Sequence, residues 1–264
     1  MEDAQTGQVV ATAAEVYDEF FVPALFEQWA DQVCDAAMVG AGHSVLDVAC
    51  GTGVLARAAR QRVGPTGQVV GVDINDGMLA VARRNDPAID WQQGAAEKLG
   101  FDDDSFDAVV CQFGLMFFAD RVAALGEMRR AARPGGRVVV AVWTGLDAVP
   151  GYAAMVELLD ELFGSATAGG LRAPYALGDP DELVELFSTA GLDASVDTRP
   201  GTARFPSIDA WVHTDIKGWT LADSIDDEQY ERLLVAARAR LTPFVQPDGT
   251  VAFDHPARLV TAIA

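Results

Sequence analysis

Lysine is nearly absent from this chain: Lys98 and Lys217 are the only two in 264 residues, and the formal net charge is −20. So negative a surface repels phosphate backbones, and no basic stripe offsets it, which argues against nucleic acid as a substrate. Cysteine is sparse as well. Cys34, Cys50 and Cys111 are odd in number and widely spaced, which argues against a disulfide framework or a zinc site. Cys50 and Cys111 lie in apolar strand-like runs and read as buried reduced thiols. No apolar run reaches the roughly 18–20 residues that cross a bilayer. The opening Met1-Glu2-Asp3-Ala4-Gln5 lacks the basic-then-apolar order of a secretion signal. A cytoplasmic location without a membrane partner is therefore expected.

What is present is ordinary globular composition, half hydrophobic and 22% charged, on a chain long enough for one generous domain. Residues 9–38 read as helical, with Val16, Phe20, Phe21, Leu25, Phe26 and Trp29 at helical spacing and an interruption at Pro23. From residue 44 strands alternate with helices. Strands are expected over 44–49, 68–73, 90–93, 106–111 and 137–143, and helices over 54–62, 76–84 and 121–132. A turn is expected at Arg133-Pro134-Gly135-Gly136. Such repeated strand–helix units imply an α/β, doubly wound, mostly parallel sheet covered by helices. Beyond Trp143 the rhythm loosens. Helices are expected over 152–163 and 181–190, separated by a glycine-rich loop at 164–170, and again over 208–221 and 227–241. Residues 192–198 could form a strand, and 250–253 with 258–263 one last, bent strand. The reading is a single domain with its core over about 40–145 and 180–264. Helical cap segments cover about 9–38, 146–178 and 203–248.

The informative stretch is Val45-Leu46-Asp47-Val48-Ala49-Cys50-Gly51-Thr52-Gly53, an apolar strand running into a glycine turn and then a helix. Gly51 and Gly53 let the backbone bend sharply and let a ligand approach with no Cβ in the way. Twenty residues after Gly53 comes Asp73, at a strand end where an acid can bind both hydroxyls of a ribose. Gly51-x-Gly53-x-x-Ala56 also fits a dinucleotide fingerprint, so the glycines alone do not separate NAD from S-adenosylmethionine (SAM). Asp47, four residues before Gly51, does help. Beside a pyrophosphate its carboxylate would cost ~1–4 kcal/mol near a surface, whereas beside the ammonium of SAM the charge is favourable. The plainer role for Asp47 is to cap a turn or helix.

These residues closely resemble class I SAM-dependent methyltransferases, in particular the small-molecule branch related to quinone C-methyltransferases (methyltransferase type 11). The likeness is good over about 40–145 and weak elsewhere. It implies a Rossmann-like fold with helical cap insertions, and S-adenosyl-L-methionine as cofactor. Residues 45–53 resemble the family's first motif, with Ala49 in place of the more usual glycine, a swap that adds little bulk. Val69-Val70-Gly71-Val72-Asp73-Ile74 resembles the second strand and its ribose-binding acid, and Met78 in the next helix would lie near adenine or ribose. Gly94-Ala95-Ala96-Glu97 resembles the adenine-side motif. Ala95 stands where the family often has an acid, so that hydrogen bond must come from backbone, water or Glu97. Gln112 could position SAM or substrate at the end of the fourth strand, and Phe113, Phe117 and Phe118 either wall the site or pack as core. Tyr17 resembles a family tyrosine near the methionine end, with a packed aromatic as the alternative.

The resemblance implies methyl transfer by in-line displacement to a small, largely apolar acceptor, a natural product or a quinone-like compound. The donor is already activated, so a base is needed only for a protonated acceptor. Among the histidines, His43 and His255 read as structural. His213 lies beside an apolar stripe of Ile208, Trp211, Val212, Ile216 and Trp219 and is the candidate base, with a solvated or capping role as its alternative. An NAD(P) oxidoreductase would need a Tyr–Lys pair at helical spacing, which neither lysine offers. A SAM-binding protein that catalyses another reaction, or serves as a partner subunit, stays open. So does pairing of two chains into a homodimer through the cap helices. Asp73→Ala and Asp47→Ala are each expected to weaken SAM affinity about tenfold, ~1.4 kcal/mol, without unfolding the core, as titration calorimetry with thermal melts would show.

Overall fold

The computed structural model describes residues 11–217, 221 and 224–264. Residues 9 and 10 of the expected first helix, and 218–220 of the expected helix over 208–221, Trp219 among them, lie outside the described residues. Strands β1 (Ser44–Val48), β2 (Gln68–Asp73), β3 (Asp90–Gln93), β4 (Phe106–Gln112) and β5 (Ala132–Trp143) run parallel. They belong to a seven-stranded sheet of order β3-β2-β1-β4-β5-β9-β6, where β6 is Ala194–Arg199 and β9 is Ala257–Ile263. β9 lies antiparallel to both β5 and β6. β1 is buried at Val45, Leu46, Asp47 and Val48, as a strand covered on both faces must be, which is why it reads as an apolar run without alternation. The strand order reverses between β1 and β4, so a crevice opens beyond their carboxyl ends.

The N-terminal region follows Ala11–Val16 as α-helix, widens to π-helix over Tyr17–Phe26, and returns to α-helix over Glu27–Ala36. Pro23, inside the wide turn, has no amide hydrogen and would clash with an α-helical carbonyl, and π geometry absorbs both problems.

Four local expectations give way to the structure. Arg133–Gly136 is no separate turn: Ala132 pairs with Phe106 and Arg137 with Ala108, so these residues bulge out of β5 with Gly135 at φ +79°. The expected loop at 164–170 is mostly helix, Ser165–Arg172, packed along the helix Pro150–Phe163. The expected bent last strand is two strands in two sheets. Val251–Asp254 (β8) pairs with Thr202–Phe205 (β7), and β9 joins the main sheet. The break falls at His255-Pro256, where proline offers no ladder donor. β7 in turn puts a strand at the head of the cap segment expected over 203–248.

Under the glycine turn sits Trp91, buried, its indole nitrogen donating to the Asp86 carbonyl at 2.8 Å. A Cβ on Gly53 would lie 2.3 Å from Trp91 Cη2, and one on Gly71 2.4 Å from Cε3. Gly53 also holds φ +86°. Gly53→Ala is therefore expected to cost about 2–4 kcal/mol, combining left-handed strain with overpacking, read as a lower urea midpoint at unchanged slope.

Candidate functional site

A cleft opens beyond β1, β2 and β4. Its walls include Tyr17, Ala49, Gly51, Asp73, Ile74, Met78, Ala95, Ala96, Glu97, Gln112, Phe113, Phe117 and Phe118. The sheet delivers these residues: Ala49 and Gly51 follow β1, Asp73 and Ile74 end and follow β2, and Gln112 ends β4. Asp73 Oδ2 accepts from the Gly51 amide and Oδ1 from the Asn75 amide, each at 2.8 Å. Burial raises its carboxyl above the usual range while those amides pull it down. Asn75 caps the next helix through the Met78 amide at 3.1 Å, fixing Met78 in the wall. Ile74 stays 55% exposed beside Asp73, an apolar lid at the cleft's edge. Glu97 Oε1 accepts from the Ala119 and Asp120 amides at 3.0 and 3.4 Å, so it braces the loop after Phe118.

Gly53 and Asp47 are not in the wall. Gly53 caps the helix Val54–Val63 over Trp91. Asp47 is 1% exposed behind the glycine turn, level with Gly71 and Val110. Neither of its oxygens has a hydrogen-bond partner. Burial, with Asp73 adding to it, pushes the Asp47 carboxyl well up, against the pull of the Ala56 amide. Gln112 Nε2 donates to the Phe26 carbonyl at 3.2 Å, and its buried Oε1 is also unpartnered. Asp47 and Gln112 thus leave unmatched acceptor oxygens at this end, beside an unmatched Thr52 hydroxyl, which suits the cationic end of a ligand. Tyr17 stands over the turn, its Cε1 at 4.0 Å from where a Gly51 Cβ would sit. Its phenol is raised by burial, then by Asp73, Asp18 and Asp47, so it stays protonated.

Two wall residues hold strained backbone. Ala49 and Phe113 both sit at φ +57°, a conformation that costs a residue with a Cβ about 1–2 kcal/mol. Replacing glycine by Ala49 thus costs backbone strain, beyond the small bulk of a methyl. It also crowds Gly114, where a Cβ would come within 2.6 Å of Ala49 Cβ and 2.9 Å of Cys111 Sγ.

Against the cleft lies a second, apolar chamber, lined by Phe21, Leu25, Phe26, Trp143, Leu171 and Tyr175 among others, and sharing Tyr17, Phe113 and Phe117 with the cleft. It is tighter, about 50 Å³ against about 250 Å³, so a ring must spread its wall to enter. Phe113 stacks on Trp143 at 3.6 Å and Trp143 on His255 at 3.9 Å. His255 is fully buried, brought down to about 3 by burial, and paired with the Tyr175 hydroxyl at 3.0 Å. His213 lines neither space: it is half-buried and edge-on to Phe20. The acid of the same helix, Asp215, does line the chamber. Sequence reasoning passed over it, although it lies one turn past Trp211 within the apolar stripe. Among the described residues no cluster of three or more His, Cys, Asp or Glu could hold a metal, and no helix is long and apolar enough to cross a membrane.

The family model for ubiE/COQ5 methyltransferases matches residues 2–154. The chain belongs to the ubiE/COQ5 methyltransferase family. The demethylmenaquinone methyltransferase of Staphylococcus carnosus is 33% identical over 207 residues, 72% of this chain and 86% of that one. The ubiquinone/menaquinone C-methyltransferase UbiE of Cupriavidus taiwanensis is 36% identical over 197 residues, 70% and 81%. In fold the chain resembles phosphoethanolamine N-methyltransferase 2 of Haemonchus contortus, solved with S-adenosylhomocysteine (TM-score 0.61, 19% identity, 96% of this chain and 57% of that one). This ubiE/COQ5-family methyltransferase is SAM-dependent, and the acceptor-rich end of its cleft fits the sulfonium and ammonium of that cofactor.

Asp47 and Asp73 both have carboxyls raised in the folded state. The folded protein therefore holds protons that the unfolded chain releases above about pH 4. Their contribution to stability is fullest below the unfolded value and falls as pH rises toward the folded one. The free protein is expected to lose melting temperature as pH rises above about 4 through these groups, and Asp47→Asn to flatten that slope. S-adenosylhomocysteine should stabilise more at pH 8 than at 5.5, as scanning calorimetry would register.

Proposed function

We propose that this methyltransferase transfers a methyl group to a ring carbon of a small, flat, largely apolar hydroxylated aromatic of the quinone type. The observation that carries this reading is the wall shared by cleft and chamber: Tyr17, Phe113 and Phe117 border both, so a donor in one abuts an acceptor in the other. The quinone relatives support the choice of acceptor.

SAM supplies a methyl group already activated on a sulfonium, an electrophile that needs an electron-rich partner. A quinone ring is electron-poor, whereas its reduced dihydroxy form is electron-rich, so the acceptor is taken in the reduced form. The residues then have positional tasks. Asp73 holds the ribose hydroxyls; Ile74 and Met78, with Ala95 and Ala96, enclose the adenine. Glu97 keeps the loop after Phe118 in place. Gln112 and Tyr17 face the methionine end, and Asp47, giving up its proton as the cation binds, offers its charge from behind the turn that Gly51 lets the backbone make. Phe113, Phe117 and Trp143 keep water from the transfer line. Alignment of this kind is worth on the order of 7–11 kcal/mol, which leaves little for other devices to supply.

Calorimetric titration with S-adenosylhomocysteine, NAD and NADP should give heat for the first alone. Incubation with SAM and 1,4-dihydroxynaphthalene under reductant should then give a ring-methylated product by mass spectrometry. Binding without methylation of any quinol would favour a SAM-binding role of another kind, and a nicotinamide signal would overturn the reading. Leu171→Ala, which touches only the chamber, is expected to raise the acceptor KM about five- to tenfold with S-adenosylhomocysteine affinity unchanged.

A further inference from the structure

We propose that Asp215 binds the acceptor hydroxyl and takes its proton, with Tyr152 orienting the carboxyl. This rests on the hydroxylated aromatic acceptor proposed above. Asp215 lies on the helix Ile208–Lys217, beyond residue 154 where the family model ends, so the family match assigns it nothing.

The geometry makes the case. Asp215 is 0% exposed, yet it lines the chamber and is the only acid among the described residues that do. The Tyr152 hydroxyl donates to Oδ1 at 3.1 Å, and Oδ2 has no hydrogen-bond partner. The Trp211 indole one turn earlier is close enough to pull the carboxyl down, but it makes no hydrogen bond of normal geometry. A buried carboxyl with an unmatched oxygen is costly unless something satisfies it, and a ring hydroxyl in the chamber would. Burial pushes the carboxyl up to about 8 against the pull of Tyr152 and Trp211, a proton affinity suited to a base near neutral pH. The other titratable groups lining the chamber among the described residues are Tyr17, Tyr152 and Tyr175, all themselves raised by burial, with neutral His255 behind Tyr175.

In the step, the hydroxyl proton passes to the Asp215 carboxylate. The ring carbon beside the resulting oxyanion bonds to the methyl group as the methyl–sulfur bond breaks, leaving its electron pair on sulfur. The ring carbon then loses its hydrogen as a proton to water, aromaticity returns, and Asp215 gives its proton back to the ring oxygen. One proton is released per turnover.

The test compares wild type with Asp215→Asn, both loaded with S-adenosylhomocysteine, in their affinity for 1-naphthol and 1-methoxynaphthalene. Wild type is expected to prefer the naphthol about tenfold and the variant less than about threefold. An equal preference in both overturns the hydroxyl contact whether or not any quinol is methylated. With 1,4-dihydroxynaphthalene and SAM, single-turnover transfer in the variant should fall about 10²–10³-fold. S-adenosylhomocysteine affinity and melting temperature should hold, and the rising limb of the wild-type pH profile near 8 should vanish. A loss under about threefold, or a retained limb, overturns the base role. If wild type methylates no quinol while the naphthol preference still depends on Asp215, the acceptor proposed above is wrong and the hydroxyl contact stands.

Discussion

The Gly51 amide donates to Asp73 across the gap between β1 and β2, and the donor cleft has its shape because of that bond. It is sheltered from water, of the kind worth about 0.5–1.5 kcal/mol, and it holds a chain reversal that only a residue free to take φ +54° makes without strain. Trp91 fills the space beneath, where the missing Cβ atoms of Gly53 and Gly71 leave room for an indole. Tie above and wedge below fix the turn, so Asp73, Gly51 and Ala49 meet a ligand in set relative positions.

The chamber depends on a different kind of order. Phe113, Trp143 and His255 form a stack running from the cleft border into the interior. The ring of His255 is neutral because burial disfavours its cation, so the stack behaves as an uncharged aromatic wall with one hydrogen bond, to Tyr175, at its far end. Two hydrogen-bonded polar pairs border this space, Tyr175 with His255 and Tyr152 with Asp215. Such pairing keeps the chamber apolar in bulk while leaving a few polar atoms to tell one ring from another.

The first half of the fold was legible because each central strand is an apolar run buried on both faces, with β1 leading into Gly51 and Gly53 and β4 into Gly114. An unbroken run such as Val45–Val48 followed by Gly51 and Gly53 has few other ways to fold. The cleft was legible for the same reason: its residues sit at strand ends whose positions the pattern dictates. The second half was not. The segment Ser165–Arg172, with two adjacent glycines, has poor helix propensity and owes its helix to packing against Pro150–Phe163. Val251–Asp254 and Ala257–Ile263 have the same local pattern, and only their partners, β7 and β5, send them to different sheets. Asp215 was hidden because an acid in an apolar stripe looks like an interruption until that one side chain is seen to line a chamber. His213, two residues earlier, stood out as a titratable group beside the same stripe, yet it lines neither space.

Ala49 and Gly114 share one small volume beside the cleft: the methyl of the first stands where a side chain on the second would have to go. Along a lineage the two positions are therefore one choice made in a fixed order. While alanine stays at 49, any enlargement at 114 is blocked by a rigid neighbour. A change of Ala49 to glycine removes that neighbour and the strain of its φ +57° together, leaving only Cys111 Sγ to swing aside. The substitution at 49 opens the way and the one at 114 follows, so variation in this wall is historical as well as chemical.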